Sequence, residues 1–151
     1  MPVQDPHRAQ ETVRAEIEAA TGQGAPGTRF KGGEGLWVQT LPEGQRPDIA
    51  GSANPLRAVV FLACKGDNRV YAYDIDNDLI QTVFDNAAID PAFDDVDNVV
   101  VSPMGDVLVA EDGDAMRLIV LVPGGEAKVL MQITSGGSKI TGPAFTADGS
   151  R

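Results

Sequence analysis

The sequence is poor in the residues from which disulfide scaffolds and many catalytic centres are built. It has one cysteine, Cys64, and one histidine, His7, so it can form neither an internal disulfide nor a zinc site of the Cys/His type. It also lacks the glycine-rich loop of P-loop proteins and the G-x-S-x-G turn of serine hydrolases. No apolar run approaches the roughly 20 residues that a membrane helix needs. The sequence therefore excludes disulfide scaffolds, Cys/His zinc sites, P-loop proteins, G-x-S-x-G hydrolases and proteins with a membrane helix.

Positive charge is also scarce. The chain has 12 Lys and Arg against 22 Asp and Glu, which gives a net charge of −10 and a pI near 4.4. Between Asp74 and Met116 there are eleven Asp and one Glu but no Lys or Arg. Nucleic acids and anionic membrane surfaces are bound by basic faces, so we expect neither as a partner. The acidic run either solubilises a surface or gathers around a cation, and composition leaves both open.

Residues 1–29 are predicted to form a leader, helical or irregular, outside the main domain. Asp5 and Pro6 are typical of a helix start, and good helix formers follow them. The apolar stripe of this segment is thin, and several glycines end it, so it is too weak to be stable alone. Its polar, acidic beginning lacks the apolar core of a secretion signal, and we expect no export signal within it.

From Phe30 onwards the pattern predicts short strands separated by Gly, Pro, Asp and Asn. The predicted strands are Leu36–Thr40, Ala58–Cys64, Arg69–Ile75, Leu79–Phe84, Asn98–Ser102, Asp106–Ala110, Arg117–Val122 and Ala127–Ile133. A further strand, Ile140–Ala147, is predicted to begin another unit. The spaced acids Asp74, Asp76 and Asp78 resemble a calcium loop. They lack the glycine and the closing glutamate that such a loop requires, so we predict a hairpin turn there.

The strands are arranged in a repeat. Three segments, GEGLWV, VDNVVV and ITGPAF, each open a unit of about four strands, and Asn98 and Gly142 in the second and third stand 44 positions apart. The loop Pro42–Pro55 lengthens the first unit. Four strands per 40–50 residues are typical of a β-propeller. Residues 30–151 are thus predicted to be an all-β domain, a partial β-propeller of about two and a half four-stranded blades; a small open sandwich is the alternative.

A hairpin near the middle of the chain gathers acidic residues. Its two strands are predicted at Asn98–Ser102 and Asp106–Ala110, so the acids before the first strand lie beside those after the second. These acids are Asp94, Asp95 and Asp97 on one side and Glu111, Asp112 and Asp114 on the other. Clustered carboxylates repel one another unless a cation or backbone N–H groups lie between them. The hairpin therefore carries the first candidate site.

Four segments resemble a known family. They are FKGGEGLW, CKGDNRVYAYD, VDNVVVSPMGDVLVAEDG and KITGPAFTADGSR, which together span residues 30–151. In this order they are similar to the C-terminal part of PhoX-type alkaline phosphatases, in particular the actinobacterial-like members. The resemblance implies a six-bladed propeller that binds calcium and iron and hydrolyses phosphate monoesters. It also implies a parent protein that is exported to the periplasm or the cell exterior.

The same resemblance implies which residues bind metal. Glu34, in a Gly-Gly-Glu-Gly turn, and Glu111 correspond to the family's ligand glutamates, and we expect both to point towards one axial cavity. Apart from the resemblance, Asp97 and Asn98 are candidates for a further oxygen ligand or a phosphate contact, although their usual role is to fix a turn. Lys139 stands where the relatives often have glutamate. It would either repel a cation or contact the phosphate.

The resemblance covers only part of the family's length. The earlier half supplies further metal ligands, so we expect this chain to be inactive alone and to need the remaining blades of a longer parent chain. Two other functions fit the pattern. One is a non-catalytic, calcium-binding propeller module, and the other is a lactonase-like propeller hydrolase, which also surrounds a cation with Glu, Asn and Asp.

Overall fold

The computed structural model of the chain describes residues 30–47, 53–85, 93–122, 126–136, 139–146 and 148–149. The predicted leader, residues 1–29, lies outside the described residues. The chain divides into two compact units, Met1–Phe30 and Lys31–Arg151, and all described strands belong to the second. The described part of the chain contains no helix long and apolar enough to cross a bilayer.

The second unit contains two four-stranded antiparallel sheets, each with its strands in chain order. The first sheet consists of β1 (Gly33–Thr40), β2 (Ala58–Cys64), β3 (Arg69–Asp74) and β4 (Leu79–Asp85). The second consists of β5 (Val96–Val101), β6 (Val107–Glu111), β7 (Arg117–Leu121) and β8 (Ala127–Gln132). One turn of 3-10 helix, Glu43–Gln45, follows β1. The all-β prediction is confirmed in this form, as two separate sheets.

The core lies between the two sheets. The first sheet contributes Ala63, Val70 and Phe84, and the second contributes valines of β5 and β6 together with Ile119. Phe93, just before β5, packs against Phe84 with the ring centroids 6.2 Å apart. Alternating side chains on each strand place one apolar set on this shared face, which is why the sequence alternation predicted strands here.

The strand predictions hold closely, with one exception. β2 has the predicted bounds, Ala58–Cys64, whereas β1 begins earlier than predicted and includes Glu34. No strand forms over residues 140–146, although one was predicted at Ile140–Ala147; Ala147 lies outside the described residues. Pro143 has no N–H for a strand ladder, and no neighbouring strand pairs with this segment in the described part of the chain.

The predicted hairpin turn at Asp74, Asp76 and Asp78 is confirmed. β3 ends at Asp74 and β4 begins at Leu79. The carboxylate of Asp74 accepts the N–H of Asp76 at 2.9 Å and that of Asn77 at 3.3 Å, so it fixes the turn.

The two sheets repeat the same local structure. In the first sheet, Cys64 at the end of β2 pairs with Gly33 and Arg69. In the second sheet, Glu111 at the end of β6 pairs with Val96 and precedes the turn that leads to Arg117. In each sheet a register shift follows the first of these pairs. The N–H of Lys65 donates to the carbonyl of Gly32 at 2.7 Å, and the N–H of Asp112 donates to that of Asp95 at 2.9 Å. The first two strands of the first sheet, within residues 31–64, are therefore structurally equivalent to the first two strands of the second sheet, within residues 94–111.

Two of the contacts between the first sheet and the second lie at the start of β5. A Cβ built on Gly35 would lie 2.6 Å from the Cα of Asn98, so only glycine lets β1 approach β5 this closely. The side chain of Asn68, in the β2–β3 turn, donates to the carbonyl of Phe93 at 2.9 Å and accepts the N–H of Val96 at 3.1 Å. These contacts hold the start of β5 against the first sheet.

Candidate functional site

Five charged residues meet at one end of the two sheets, where β1 and β5 begin and β2 and β6 end. They form the charged cluster, which consists of Glu34, Lys65, Asp97, Asp112 and Lys139. Glu34 and Asp97 are each the second residue of the first strand of their sheet. Lys65 and Asp112 each follow the second strand directly, so the repeat itself brings four of the five together.

Asp112 is the centre of the charged cluster. Its Oδ2 atom accepts the ammonium of Lys65 at 2.6 Å and that of Lys139 at 2.7 Å. The side chain of Asp112 is only 6% exposed, and its Oδ1 atom is buried without a hydrogen-bond partner. The hydrogen bonds from Lys139 and Lys65 lower the pKa of this carboxyl. Asp112 is therefore held as a carboxylate by two ammonium groups.

Asp97 responds to its surroundings in the opposite way. Burial, followed by the neighbouring carboxylates of Asp112 and Glu34, raises its pKa, although Lys65 and Lys139 act against that rise. The side-chain amide of Asn98 donates to Oδ1 of Asp97 at 2.7 Å. A carboxyl whose pKa is raised by burial and like charges would be stabilised by a cation. A cation beside Asp97 would therefore offset both causes of the raised pKa.

Glu111 lies outside the charged cluster and has no exposed surface. Its two oxygens accept Nη2 and Nε of Arg117, both at 2.5 Å, and one of them also accepts the N–H of Asp94 at 2.5 Å. The guanidinium of Arg117 lies 5.0 Å from the centre of the Phe93 ring. Metal binding by Glu111 stays a prediction, and in this arrangement it would require the buried ion pair to open.

The two predicted glutamates do not occupy equivalent positions in the repeat. Glu34 corresponds to Asp97, whereas Glu111 corresponds to Cys64, because Gly33 pairs with Cys64 as Val96 pairs with Glu111. Glu34 is exposed and Glu111 is fully buried. The structure thus brings Glu34, Asp97 and Asn98 to one region, and it gives Glu111 a partner of its own.

The acidic groups on the two sides of the central hairpin meet, as the sequence predicted, but lysines from elsewhere neutralise them. Lys65 lies 2.6 Å from Asp112 and 3.9 Å from Asp95. Sequence reasoning missed Lys65. An alignment of CKGDN with EDGDA within the chain would have found it, because that alignment places Lys65 opposite Asp112. Asp94 and Asp114 are exposed.

The oxygen donors of this region suit calcium in kind, but the set is incomplete. Carboxylate and amide oxygens are the ligands that calcium prefers, and it takes roughly 6–8 of them. Among the described residues no group of three His, Cys, Asp or Glu side chains is placed to hold a metal ion. Metal binding by Glu34, Asp97 and Asn98 therefore stays a prediction, and a complete shell would need further ligands from other residues.

A separate cavity lies at the opposite end of the first sheet. It is lined by Leu56, Val59, Ala72, Asp74, Leu79, Ile80 and Gln81. The lining is mostly apolar, and its one carboxylate, Asp74, already fixes the neighbouring turn. This cavity brings no set of reactive groups together, so the charged cluster is the better candidate.

No family model matches the chain, and neither a curated protein nor a solved structure matches it significantly.

Proposed function

We propose that the chain forms two successive blades of a PhoX-like β-propeller phosphatase that hydrolyses phosphate monoesters, and that it has no turnover alone. The observation that carries this proposal is the repeat, since two four-stranded sheets with the same hydrogen bonds place Glu34 and Asp97 at equivalent positions of one end. A propeller gathers the first strands of its blades around one central channel. Acids at the start of those strands would face that channel together.

The charged cluster supports phosphate chemistry through both signs of charge. Glu34, Asp97 and Asn98 would hold calcium or iron once other blades complete the ligand shell, and such ions neutralise phosphoryl oxygens and activate an attacking oxygen. Lys139 has a side chain that is 63% exposed, so its remaining N–H donors can reach a phosphate oxygen. Lys65 is less exposed and holds the Asp112 carboxylate in place.

Hydrolysis of p-nitrophenyl phosphate tests this function. We expect the purified chain with calcium and ferrous iron to show no hydrolysis above the rate of buffer, because the ligand set is incomplete. A longer polypeptide that contains this chain should be active. In it, Glu34→Gln or Asp97→Asn should lower kcat/KM by roughly 10–100-fold or more. Glu43→Gln, in the exposed 3-10 turn, is the control and should keep full activity.

Turnover by the isolated chain would refute the proposal that it is inactive alone. A longer polypeptide that is folded but hydrolyses no phosphate monoester would refute the phosphatase proposal itself. If that polypeptide hydrolysed lactones instead, the lactonase-like alternative would replace it.

A non-catalytic module is the second candidate, and Asp112 is the observation that favours it. Two lysines already neutralise this carboxylate, so the cluster is partly balanced without a metal ion. Such a module would bind calcium at most. Calorimetric titration with calcium would then show binding in a longer polypeptide that hydrolyses neither phosphoesters nor lactones.

A further inference from the structure

The first sheet has an apolar face turned away from the core. This open face consists of Leu36, Val38, Val60, Leu62, Tyr71 and Tyr73, which pair across β1, β2 and β3 in two rows. Leu36 is 60% exposed and Val38 is 49% exposed, while the other four are half-buried. A contiguous apolar surface of this kind on a sheet is typical of an interaction site.

The corresponding face of the second sheet is covered. The repeat aligns the open face with Val99, Val101, Val107, Val109, Ile119 and Leu121, which pair across β5, β6 and β7 in the same two rows. Five of these six are buried and Leu121 packs against the same core, which they share with Ala63, Val70 and Phe84 of the first sheet. The same positions are thus buried in one sheet and open in the other.

We propose that the open face binds a preceding unit of the same repeat, supplied by the same polypeptide. The inference rests on the proposed propeller and deepens it by naming the surface and its occupant. The occupant is a four-stranded antiparallel sheet that presents Ala, Val and Phe side chains, as the first sheet presents Ala63, Val70 and Phe84 to the second. An Asn in its β2–β3 turn would hydrogen-bond the backbone near Gly33, as Asn68 bonds that of Val96.

A second copy of the chain fits the open face less well. In the contact between the two sheets, the first sheet presents the face that carries Ala63. To repeat this contact on the open face, a second copy would have to present the equivalent face of its second sheet, which points away from the shared core. On that face Val100 and Ala110 are already buried, with 1% and 0% exposure. Each copy also carries a net charge of −10, which opposes association.

An extended chain tests the proposal. A copy of residues 30–92 is inserted after residue 29, so that the copy runs into Phe30 as the natural chain runs into Phe93. If the copy covers the open face, the unfolding midpoint should rise by about 5 °C or more, because each added unit contributes an interface. Binding of the dye ANS, which reports exposed apolar surface, should stay about the same per chain, because the copy covers the original open face and exposes its own; a copy that did not dock would about double it.

Two matched variants in the original copy identify the surface. Leu36→Glu should remove the gain in the extended chain and should shift the midpoint of the unextended chain by less than about 1 °C, because the side chain is exposed there. Leu130→Glu is the control, since Leu130 is 61% exposed but lies on β8. It should leave the gain intact.

Three results would overturn the proposal. The first is no gain in the extended chain, and the second is a gain that Leu36→Glu leaves unchanged. The third is a dimer of the unextended chain, seen by light scattering, that Leu36→Glu dissociates, because the occupant would then be a second copy. None of these measurements depends on hydrolysis, so they fail or succeed independently of the phosphatase proposal.

Discussion

The first and second sheets share one backbone plan but differ in what surrounds them. Both have four antiparallel strands, a register shift in the first pair and the same hydrogen bond beyond the second strand. In the second sheet, Val109 is 1% exposed. In the first sheet, the row of residues equivalent to the row of Val109 contains Leu36, which is 60% exposed. The sequence of each unit thus determines its strands, while the neighbouring units determine which faces are buried.

The sheets also differ in the chemistry of equivalent positions. Arg69 and Arg117 both begin the third strand. Arg69 pairs with Asp85, and the two side chains are 37% and 27% exposed. Arg117 pairs with Glu111, and those side chains are 14% and 0% exposed. One position in the repeat thus holds a surface ion pair in the first sheet and a buried one in the second.

The largest expected effect comes from breaking the buried pair of the second sheet. Glu111→Gln removes the buried carboxylate that accepts both hydrogen bonds of the Arg117 guanidinium, and we expect a loss of about 3–5 kcal/mol in the free energy of unfolding. Asp85→Asn breaks the more exposed pair of the first sheet and should cost much less, because solvent screens that pair. Urea unfolding followed by tryptophan fluorescence measures both. Equal losses would contradict the difference in burial between the two pairs.

The next effect comes from separating the two sheets. A Cβ on Gly35 would lie 2.6 Å from both the Cα of Asn98 and the carbonyl oxygen of Asp97, and backbone atoms cannot move aside cheaply. We expect Gly35→Ala to cost about 1–3 kcal/mol in urea unfolding.

Gly44→Ala is the matched control for this substitution, because a Cβ on Gly44 meets no atom within 4 Å. It should change stability by less than about 1 kcal/mol. If Gly35→Ala were equally harmless, β1 and β5 could not be in contact as described.

A smaller effect comes from the side chain that joins the first sheet to β5. Asn68→Gly keeps the positive φ of 56° accessible but removes the side-chain hydrogen bonds to Phe93, Asp94 and Val96. We expect a loss of about 1–2 kcal/mol. Asn68→Asp retains the acceptor for Val96 but sets a carboxylate against the carbonyl of Phe93 and the carboxylate of Asp94, so it should also be less stable than the wild type in thermal unfolding. An Asn68→Gly variant as stable as the wild type would show that these hydrogen bonds contribute nothing.

The smallest effect concerns a loop contact of the first sheet and depends on pH. Asp76 accepts the side chain of Arg57 and its N–H, and these hydrogen bonds lower the pKa of the Asp76 carboxyl. A lowered pKa stabilises the fold above the ordinary carboxyl pKa, and this contribution is lost as the pH falls through the folded-state pKa. Asp76→Asn should therefore lower the thermal midpoint at pH 7, and the difference from the wild type should vanish on acidification.

Asp114→Asn controls for the loss of one negative charge, because Asp114 is exposed. It should have a smaller effect than Asp76→Asn at pH 7. A difference between Asp76→Asn and the wild type that persisted at low pH would contradict the ion pair as its cause.

The sequence predicted the strands better than it predicted the site. The apolar run of β2 and the alternation of β6 are local signals, and local patterns decide where strands form. The ligand role of Glu111 was inferred from a resemblance, whereas its pairing with Arg117 depends on the β6–β7 turn and on packing against Phe93. The contact of Lys65 with Asp112 joins residues of different sheets. No local pattern encodes such a contact, and only the alignment of the two units with each other points to it.

The two sheets are successive units of one repeat, joined where β1 passes β5. The most direct measurement is the nuclear Overhauser effect between the Hα protons of Gly35 and Asn98 in the labelled chain. The close approach of these two residues predicts a strong cross-peak. If this cross-peak were absent from a spectrum that shows the β1–β2 and β5–β6 cross-peaks, both sheets would form but would not pack in this way. The two sheets would then not bring the charged cluster together at one end.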